Sequence, residues 1–451
     1  MKNLFIKPVK MLTLTALASC VILTTPVGTA LLGSTDVMAQ ESQSSVPERK
    51  KRRVPTMRLN VHKRFEKANA AKDLGNWDET WEIMTSIDEM RNKNSYEVAM
   101  MHYYYGAFYY EAEEVDKAIS SYEMILEQEN LPIQFEDSIR FSISQLYFSV
   151  GNYDKSLSIL KEWFKYQTSP NAGKYLFLGQ VYYQLEQYEN ALQPILKTIE
   201  MTEASGGEVR ENWYQLLRTM YYELKDMPKV RDTLEFLVVT WPKPSYWLQL
   251  GSIYSELQEE ALQLAVMEVA YKQGYLTKDN HYINMAQLYL YNDVPWKAAE
   301  VMRVGFDKKI LEGTKDNFDL YSQALVASKE FGKAVTPLQK AADLSEDGQL
   351  YIRLAQVYID LDDFDNVIIA SEKGIEKGDL KRADQAQLVL GMAYYNNDLL
   401  TDAQGAFRNA RKDKRSRKTS DSWLGFLSKE KNRRKQLAED IKSASKEEDE
   451  D

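Results

Sequence analysis

The sequence predicts an all-α chain, a superhelical solenoid of about nine to ten helix-turn-helix repeats closed by a C-terminal capping helix. Three observations lead there. A pattern of small and aromatic residues returns at steps of 33 to 39 residues. Helix-ending residues fall between its copies. The length, 451 residues, exceeds what one compact core usually holds. Composition agrees: 12% of the chain is aromatic, with 29 Tyr, while Gly and Pro number only 20 and 12. Disordered chains show the opposite balance.

The clearest copy is Tyr175, Leu178, Gly179, Tyr182, Tyr188, Ala191 and Ile195. A first helix carries a large residue, Leu, a small residue and an aromatic; a second carries small and large residues in turn. Small positions let two antiparallel helices approach, and large ones fill the space between neighbours. This is the template of the tetratricopeptide repeat (TPR). It also fits Gly106, Tyr109, Ala118 and Tyr122, then Trp247, Leu250, Gly251 and Tyr254, and then Met285, Ala286, Tyr289 and Ala298. Tyr351, Leu354, Ala355, Tyr358 and Phe364 form another copy, and Leu390, Gly391, Tyr394, Ala403, Phe407 and Ala410 the last. Weaker copies run through Ile143 to Tyr153, Tyr221 to Pro242 and Phe318 to Ala341, with a degenerate one around Leu74, Gly75, Trp77 and Trp81. The small first-helix positions fall at 106, 144, 179, 218, 251, 286, 322, 355 and 391. An irregular bundle would not hold that phase.

Turn chemistry follows the same register. Pro132, Pro170 and Pro242 come after second-helix runs, where Pro ends a helix. Asp360, Asp362, Asp363 and Asp365 crowd the turn beside Phe364; they lack the Gly and terminal Glu of a calcium loop and read as capping residues. The repeat array is assigned to residues 59–417. Trp423, Leu424, Phe426 and Leu427 open a segment that then turns charged, so 418–444 reads as a capping helix. The acidic run 445–451 is expected to be disordered.

Residues 1–39 read as a secretory signal. Lys2, Lys7 and Lys10 precede an apolar stretch from Met11 to Leu32, and Val37-Met38-Ala39 offers a cleavage site after Ala39. A periplasmic location follows. Alternatives are an uncleaved anchor, interrupted by Thr24, Thr25, Pro26 and Gly28, and lipidation at Cys20 after Leu17-Ala18-Ser19. Cys20 is the only cysteine, so cleavage after Ala39 leaves no thiol for disulfides, catalysis or metal. Residues 40–58 read as a flexible basic linker; Arg49-Lys50-Lys51-Arg52-Arg53 is either a solvated charge run or a contact for an anionic surface.

Function is sought on the face that the first helices of such arrays present to a partner. By the known geometry of the repeat, residues just after the large, small and second aromatic positions point there. They include Tyr103, Tyr110, Phe141, Gln145, Phe148, Gln180, Tyr183, Tyr222, Gln287 and Tyr395, and none of these positions holds Lys or Arg. Clamping of a C-terminal carboxylate is therefore not expected. An aromatic and amide lining suits an extended, uncharged or Pro-rich segment. The other reading is that the tyrosines pack between repeats with wet hydroxyls.

Other classes are set aside. The net charge of −10 and pI of about 5.2 oppose nucleic-acid binding. His62, His102 and His281 show no metal-ligand spacing, and His102 holds a core position. No phosphate loop or nucleophile elbow is present, so the chain reads as neither an enzyme nor a binder of cofactor or small-molecule substrate.

Four segments carry a resemblance: Val54-Pro55-Thr56-Met57-Arg58, WYQLLRTMYYELKD (213–226), YWLQLGSIYSEL (246–257) and LTKDNHYINMAQLYLYNDVPWKAAEVM (276–302). With these the chain resembles a family of periplasmic TPR proteins of Gram-negative bacteria, associated with TonB–ExbB–ExbD energy transduction. The resemblance implies an accessory role in TonB-dependent transport across the outer membrane. Partners would be TonB, ExbB or ExbD, or a Pro-rich segment of such a transducer. The alternative is an adaptor in outer-membrane or cell-wall assembly.

Overall fold

The structure, a computed structural model, describes residues 47–49 and 51–448. The expected signal segment, Cys20, the linker up to residue 46 and the last three residues of the acidic run lie outside the described residues. The chain divides into two units after Lys50. Residues 47–49 of the first are non-helical; the helices all belong to the second.

Among the described residues there are 21 helices and no strand. They pair as ten repeats: α1 (Leu59–Asp73) with α2 (Trp77–Asp88), α3 (Ser95–Glu111) with α4 (Val115–Leu126), α5 (Ile133–Ser149) with α6 (Tyr153–Phe164), α7 (Ala172–Gln184) with α8 (Tyr188–Ala204), and α9 (Glu211–Glu223) with α10 (Met227–Thr240). The series continues with α11 (Pro244–Glu256) and α12 (Glu260–Lys272), α13 (Asp279–Tyr291) and α14 (Pro295–Asp307), α15 (Lys315–Ala327) and α16 (Phe331–Leu344), α17 (Gln349–Asp360) and α18 (Phe364–Lys377), α19 (Ala383–Asn396) and α20 (Leu400–Ala410). The capping helix is α21 (Arg417–Glu448). The chain is thus the TPR solenoid that the pattern implies.

The backbone keeps the register in every repeat. Gly75, Glu113, Gly151, Glu186, Lys225, Gln258, Asp293, Lys329, Asp362 and Asp398 end the odd-numbered helices in the left-handed region, with φ from 55° to 78°. Each stands seven residues after a small position; Gly75 thereby identifies Ala68, fully buried, as the small residue of the first repeat. The left-handed residue terminates one helix and turns the chain into the next.

Packing explains why the position is small. A Cβ added at Gly106 would lie 2.5 Å from the Tyr122 ring, at Gly179 2.5 Å from Ile195 Cδ1, at Gly251 2.6 Å from Met267 Sδ, and at Gly391 2.8 Å from Phe407. In these four the large partner is sixteen residues on, in the even helix of the same repeat. In the third repeat Ser144 takes the small place and its hydroxyl bonds the Ser156 carbonyl at 2.9 Å.

Tyrosines join one repeat to the next. Tyr147 donates to Glu123 (2.5 Å), Tyr254 to Glu235 (2.6 Å), Tyr289 to Glu268 (2.9 Å) and Tyr394 to Glu372. Each tyrosine lies three residues after a small position, and each glutamate lies on the preceding even helix. These hydroxyls are bonded to protein rather than left wet. Burial first, and the neighbouring carboxylate second, push all four phenols above their ordinary pKa.

Two sequence expectations need correction at the ends. Residues 51–58 are docked rather than a flexible linker. Arg58 forks onto the Glu97 carboxylate through Nε (2.8 Å) and Nη2 (2.7 Å). Glu97, fully buried, also closes a capping box with Asn94 at the start of α3. Asn94 donates to the Thr56 carbonyl at 2.9 Å, Arg52 pairs with Glu136, and Met57 packs with the cluster of Val61 and Phe65. Burial raises the Glu97 pKa, but the hydrogen bonds from Arg58 and Asn94 outweigh it and hold the carboxyl below the usual range. At the other end α21 continues through Glu448, so residues 445–448 are helical; the stretch holds Ser, Lys and Glu and no Gly or Pro to stop it. Its opening turns do cap the array: Trp423 stacks on Phe407 (5.1 Å between centroids) and Leu427 is fully buried.

Two outcomes follow. Gly391→Ala forces a methyl onto the Phe407 ring and should cost about 1–3 kcal/mol. Gly405→Ala in the same repeat meets nothing within 4 Å and should stabilise by about 0.5–1 kcal/mol. Denaturation midpoints moving in opposite directions check the pair. For Tyr147, Tyr254, Tyr289 and Tyr394, the folded pKa lies above the unfolded one, so their bonds contribute fully below pH ~10 and are lost as pH rises beyond it. Phe at all four positions should cost about 0.5–1.5 kcal/mol each at neutral pH. It should also flatten the stability loss above pH ~10, measured as melting temperature against pH.

Candidate functional site

Odd-numbered helices lie side by side from repeat to repeat. Between α9 and α11, Tyr246 donates to Glu211, and Gln215 donates to the Tyr246 hydroxyl. Arg353 of α17 pairs with Asp319 of α15 at 2.5 Å. The residues expected to face a partner lie on these helices, and they fall into separate places rather than one continuous rail.

Near the N-terminal end, Tyr103 and Tyr110 are 37% and 47% exposed, and no packing role absorbs the Tyr110 ring. Tyr103 stands against Tyr122 and Phe135, at 6.1 and 5.8 Å between centroids. Burial, with the two exposed tyrosines beside it, pushes the Tyr122 phenol up to about 12. Gln145 is exposed on α5. Phe141 is not part of this face. It is 7% exposed, sits between Trp163 (5.3 Å) and Phe177 (5.4 Å), and has the Lys174 ammonium over its ring at 3.1 Å. Its position just after the large residue of α5, expected to face a partner, instead lies between repeats three and four. Phe148 is half-buried against Tyr153 and Phe177 and serves mainly as packing.

In the middle, Gln180 and Tyr183 are half-buried on α7, Tyr183 lying 5.7 Å from the Tyr188 ring, and Tyr222 of α9 is 46% exposed. Sequence reasoning missed Arg218. It occupies the small position of the fifth repeat, where Leu234 already fills the space a long side chain would need. Its guanidinium turns aside and donates to Gln249 Oε1 on α11. The face therefore does carry a cation, although no position assigned to it holds one. The signal was visible: nine other repeats have Gly, Ala or Ser there.

Between the sixth and seventh repeats a cleft of about 770 Å³ opens among α11, α12 and α13. Gln287 lines it as expected, with Ser252, Gln263, Asn280, Asn284 and Tyr291. Ala270 is the one fully buried residue of α12, so this helix packs loosely and the cleft stands where covering side chains are lacking. Side-chain amides offer both a donor and an acceptor, which matches the main chain of an extended peptide. At the C-terminal end Tyr395 shares a pocket of about 410 Å³ with Trp423 and Phe426 of the capping helix, the three rings 5.4–5.8 Å apart.

Among the described residues, no group of His, Cys, Asp and Glu could hold a metal ion, and no helix is long and apolar enough to cross a membrane. His102 is half-buried, and burial lowers its pKa.

No protein-family model matches the chain. Response regulator aspartate phosphatase I of Bacillus subtilis is 24% identical over 215 residues, covering 44% of this chain and 52% of its own length, so the chain spans about half of that relative. Among solved structures, a tetratricopeptide repeat protein from Parabacteroides merdae is 16% identical with a TM-score of 0.32, covering 67% of this chain and 100% of its own. MamA is 18% identical at 0.33, covering 39% and 94%. YrrB, described as a TPR protein with an unusual peptide-binding site, is 14% identical at 0.34, covering 41% and 94%. With scores this low, the fold assignment rests on the ten helix pairs and their register.

Substitutions separate face from core. Phe141→Ala should cost about 3–5 kcal/mol. Tyr110→Ala and Tyr222→Ala should each change stability by about 0.5 kcal/mol or less, measured by chemical denaturation.

Proposed function

We propose that this chain is an exported, non-catalytic scaffold of the Gram-negative periplasm. Its odd-helix face holds an extended segment of a partner protein, in service of TonB-dependent transport. The observation that carries the binding reading is the set of tyrosine rings left exposed on that face, Tyr103, Tyr110 and Tyr222, whereas Tyr147, Tyr254, Tyr289 and Tyr394 are bonded at junctions between repeats. Exposed aromatic rings are common anchors for partners. The amide-lined cleft between repeats six and seven supports an occupant with a free main chain.

Export is supported by the basic and then apolar order of residues 1–39. The transport role is supported by the four segments that resemble the TonB-associated family. A Pro-rich stretch would lie on the exposed tyrosines in a conformation already extended, at small ordering cost.

In vivo crosslinking in the native envelope, followed by mass spectrometry of the purified protein, tests the role. TonB, ExbB or ExbD peptides among the adducts, on a chain whose N-terminus begins at Gln40, are the expected result. Adducts only with membrane-insertion or wall-synthesis proteins would discard the transport role and favour the assembly adaptor. Once a partner is in hand, Tyr103, Tyr110 and Tyr222 changed to Ala should each weaken its binding by more than ~1 kcal/mol.

A further inference from the structure

Arg218 breaks the rule on which the array is built. The corresponding residues of the other nine repeats are Ala68, Gly106, Ser144, Gly179, Gly251, Ala286, Ser322, Ala355 and Gly391. At Gly106, Gly179, Gly251 and Gly391 the residue sixteen places on fills the space that a side chain would need. In the fifth repeat that residue is Leu234, 1% exposed, so the guanidinium cannot enter and lies along the odd-helix face instead.

Its charge is also uncompensated. Half-buried arginines elsewhere are matched with carboxylates: Arg140 with Glu136, Arg231 with Glu259, Arg353 with Asp319. Among the described residues Arg218 has no such partner; it has the neutral Gln249. Burial lowers its pKa, and only the Tyr246 and Tyr183 hydroxyls act against that. A guanidinium carries five N–H donors in a planar fork, and Gln249 takes one of them. Partial desolvation without an acid is costly, and a carboxylate arriving from outside would remove that cost.

We propose that Arg218 is the docking point for a single carboxylate on the segment that the odd-helix face receives. The inference rests on the peptide-binding reading given above and adds a charge requirement to it. The surroundings favour one negative charge rather than the two of a phosphate. Lys243, the N-cap of α11, already sits on Glu211 at 2.6 Å, and the exposed carboxylate of Glu223 acts on Tyr183. The network of Glu211, Gln215 and Tyr246 joins α9 to α11, and the bond to Gln249 holds the guanidinium of Arg218 against α11. The carboxylate is either an internal Asp or Glu side chain or the C-terminus of the segment.

Fluorescence polarisation with the full-length chain distinguishes these sources. The probes are labelled twelve-residue peptides of alternating Pro and Gln. One is neutral and amidated, a second has a free C-terminus, and a series places a single Glu at each Gln position with the C-terminus amidated. We expect one Glu position, or the free C-terminus, to bind at least tenfold more tightly than the neutral peptide. Arg218→Gln should abolish that gain while leaving the neutral peptide's affinity unchanged, and Arg218→Lys should retain part of it. A neutral peptide that binds with no gain from any carboxylate, or a gain that survives Arg218→Gln, overturns the inference and leaves the binding reading intact. If no peptide binds the wild-type chain, the binding reading falls and the inference falls with it. A matching circular-dichroism melt for each variant excludes misfolding as the cause.

Discussion

Most repeats place a residue with little or no side chain on the odd helix sixteen places before a bulky one on the even helix. Gly106 under Tyr122, Gly179 under Ile195 and Gly391 under Phe407 are the same contact in different chemistry. It sets how closely the two helices approach, and so where the left-handed turn between them must fall. It also fixes which residues of the odd helix look toward the neighbouring repeat. The tyrosine three places on is then positioned to reach a glutamate of the preceding even helix. Helix pairing, turn and inter-repeat bonding are thus consequences of one steric requirement, repeated in phase.

Features fit for recognition occur where that uniformity lapses. Arg218 replaces the small residue and turns out onto the odd-helix face. The even helix of the sixth repeat buries one residue fully, and a cleft opens beside it. At the C-terminal end the capping helix contributes Trp423 and Phe426 to a pocket with Tyr395 and buries Leu427 beneath the last repeat. A regular array supplies the rigid frame, and its local exceptions give different stretches of the face different chemistry.

The fold was legible because its signal is periodic: one register accounts for nine positions between 106 and 391, eight of them small. The first repeat is degenerate in sequence around Leu74, Gly75, Trp77 and Trp81, and the left-handed turn at Gly75 places its small residue at the buried Ala68. The candidate face was legible only in part. A repeat template gives the direction in which a side chain leaves its helix but not what lies in its path. Phe141 leaves in the right direction and meets Trp163, Phe177 and Lys174. Arg218 leaves in the wrong direction and is deflected onto the face. The docking of residues 51–58 through Arg58 and Glu97 joins residues 39 apart and has no local pattern to announce it.

The central claim is that a partner occupies the odd-helix face and not the even-helix face. Its most direct test is a photoreactive benzoylphenylalanine placed in vivo at single exposed sites, at 110 and 222 on odd helices and at 239 and 269 on even helices, where Val239 and Val269 are also exposed. Adducts of one mass from 110 and 222, with none from 239 and 269, are what the account requires. Adducts from 239 and 269 alone would contradict it and move the binding surface to the opposite side of the repeats.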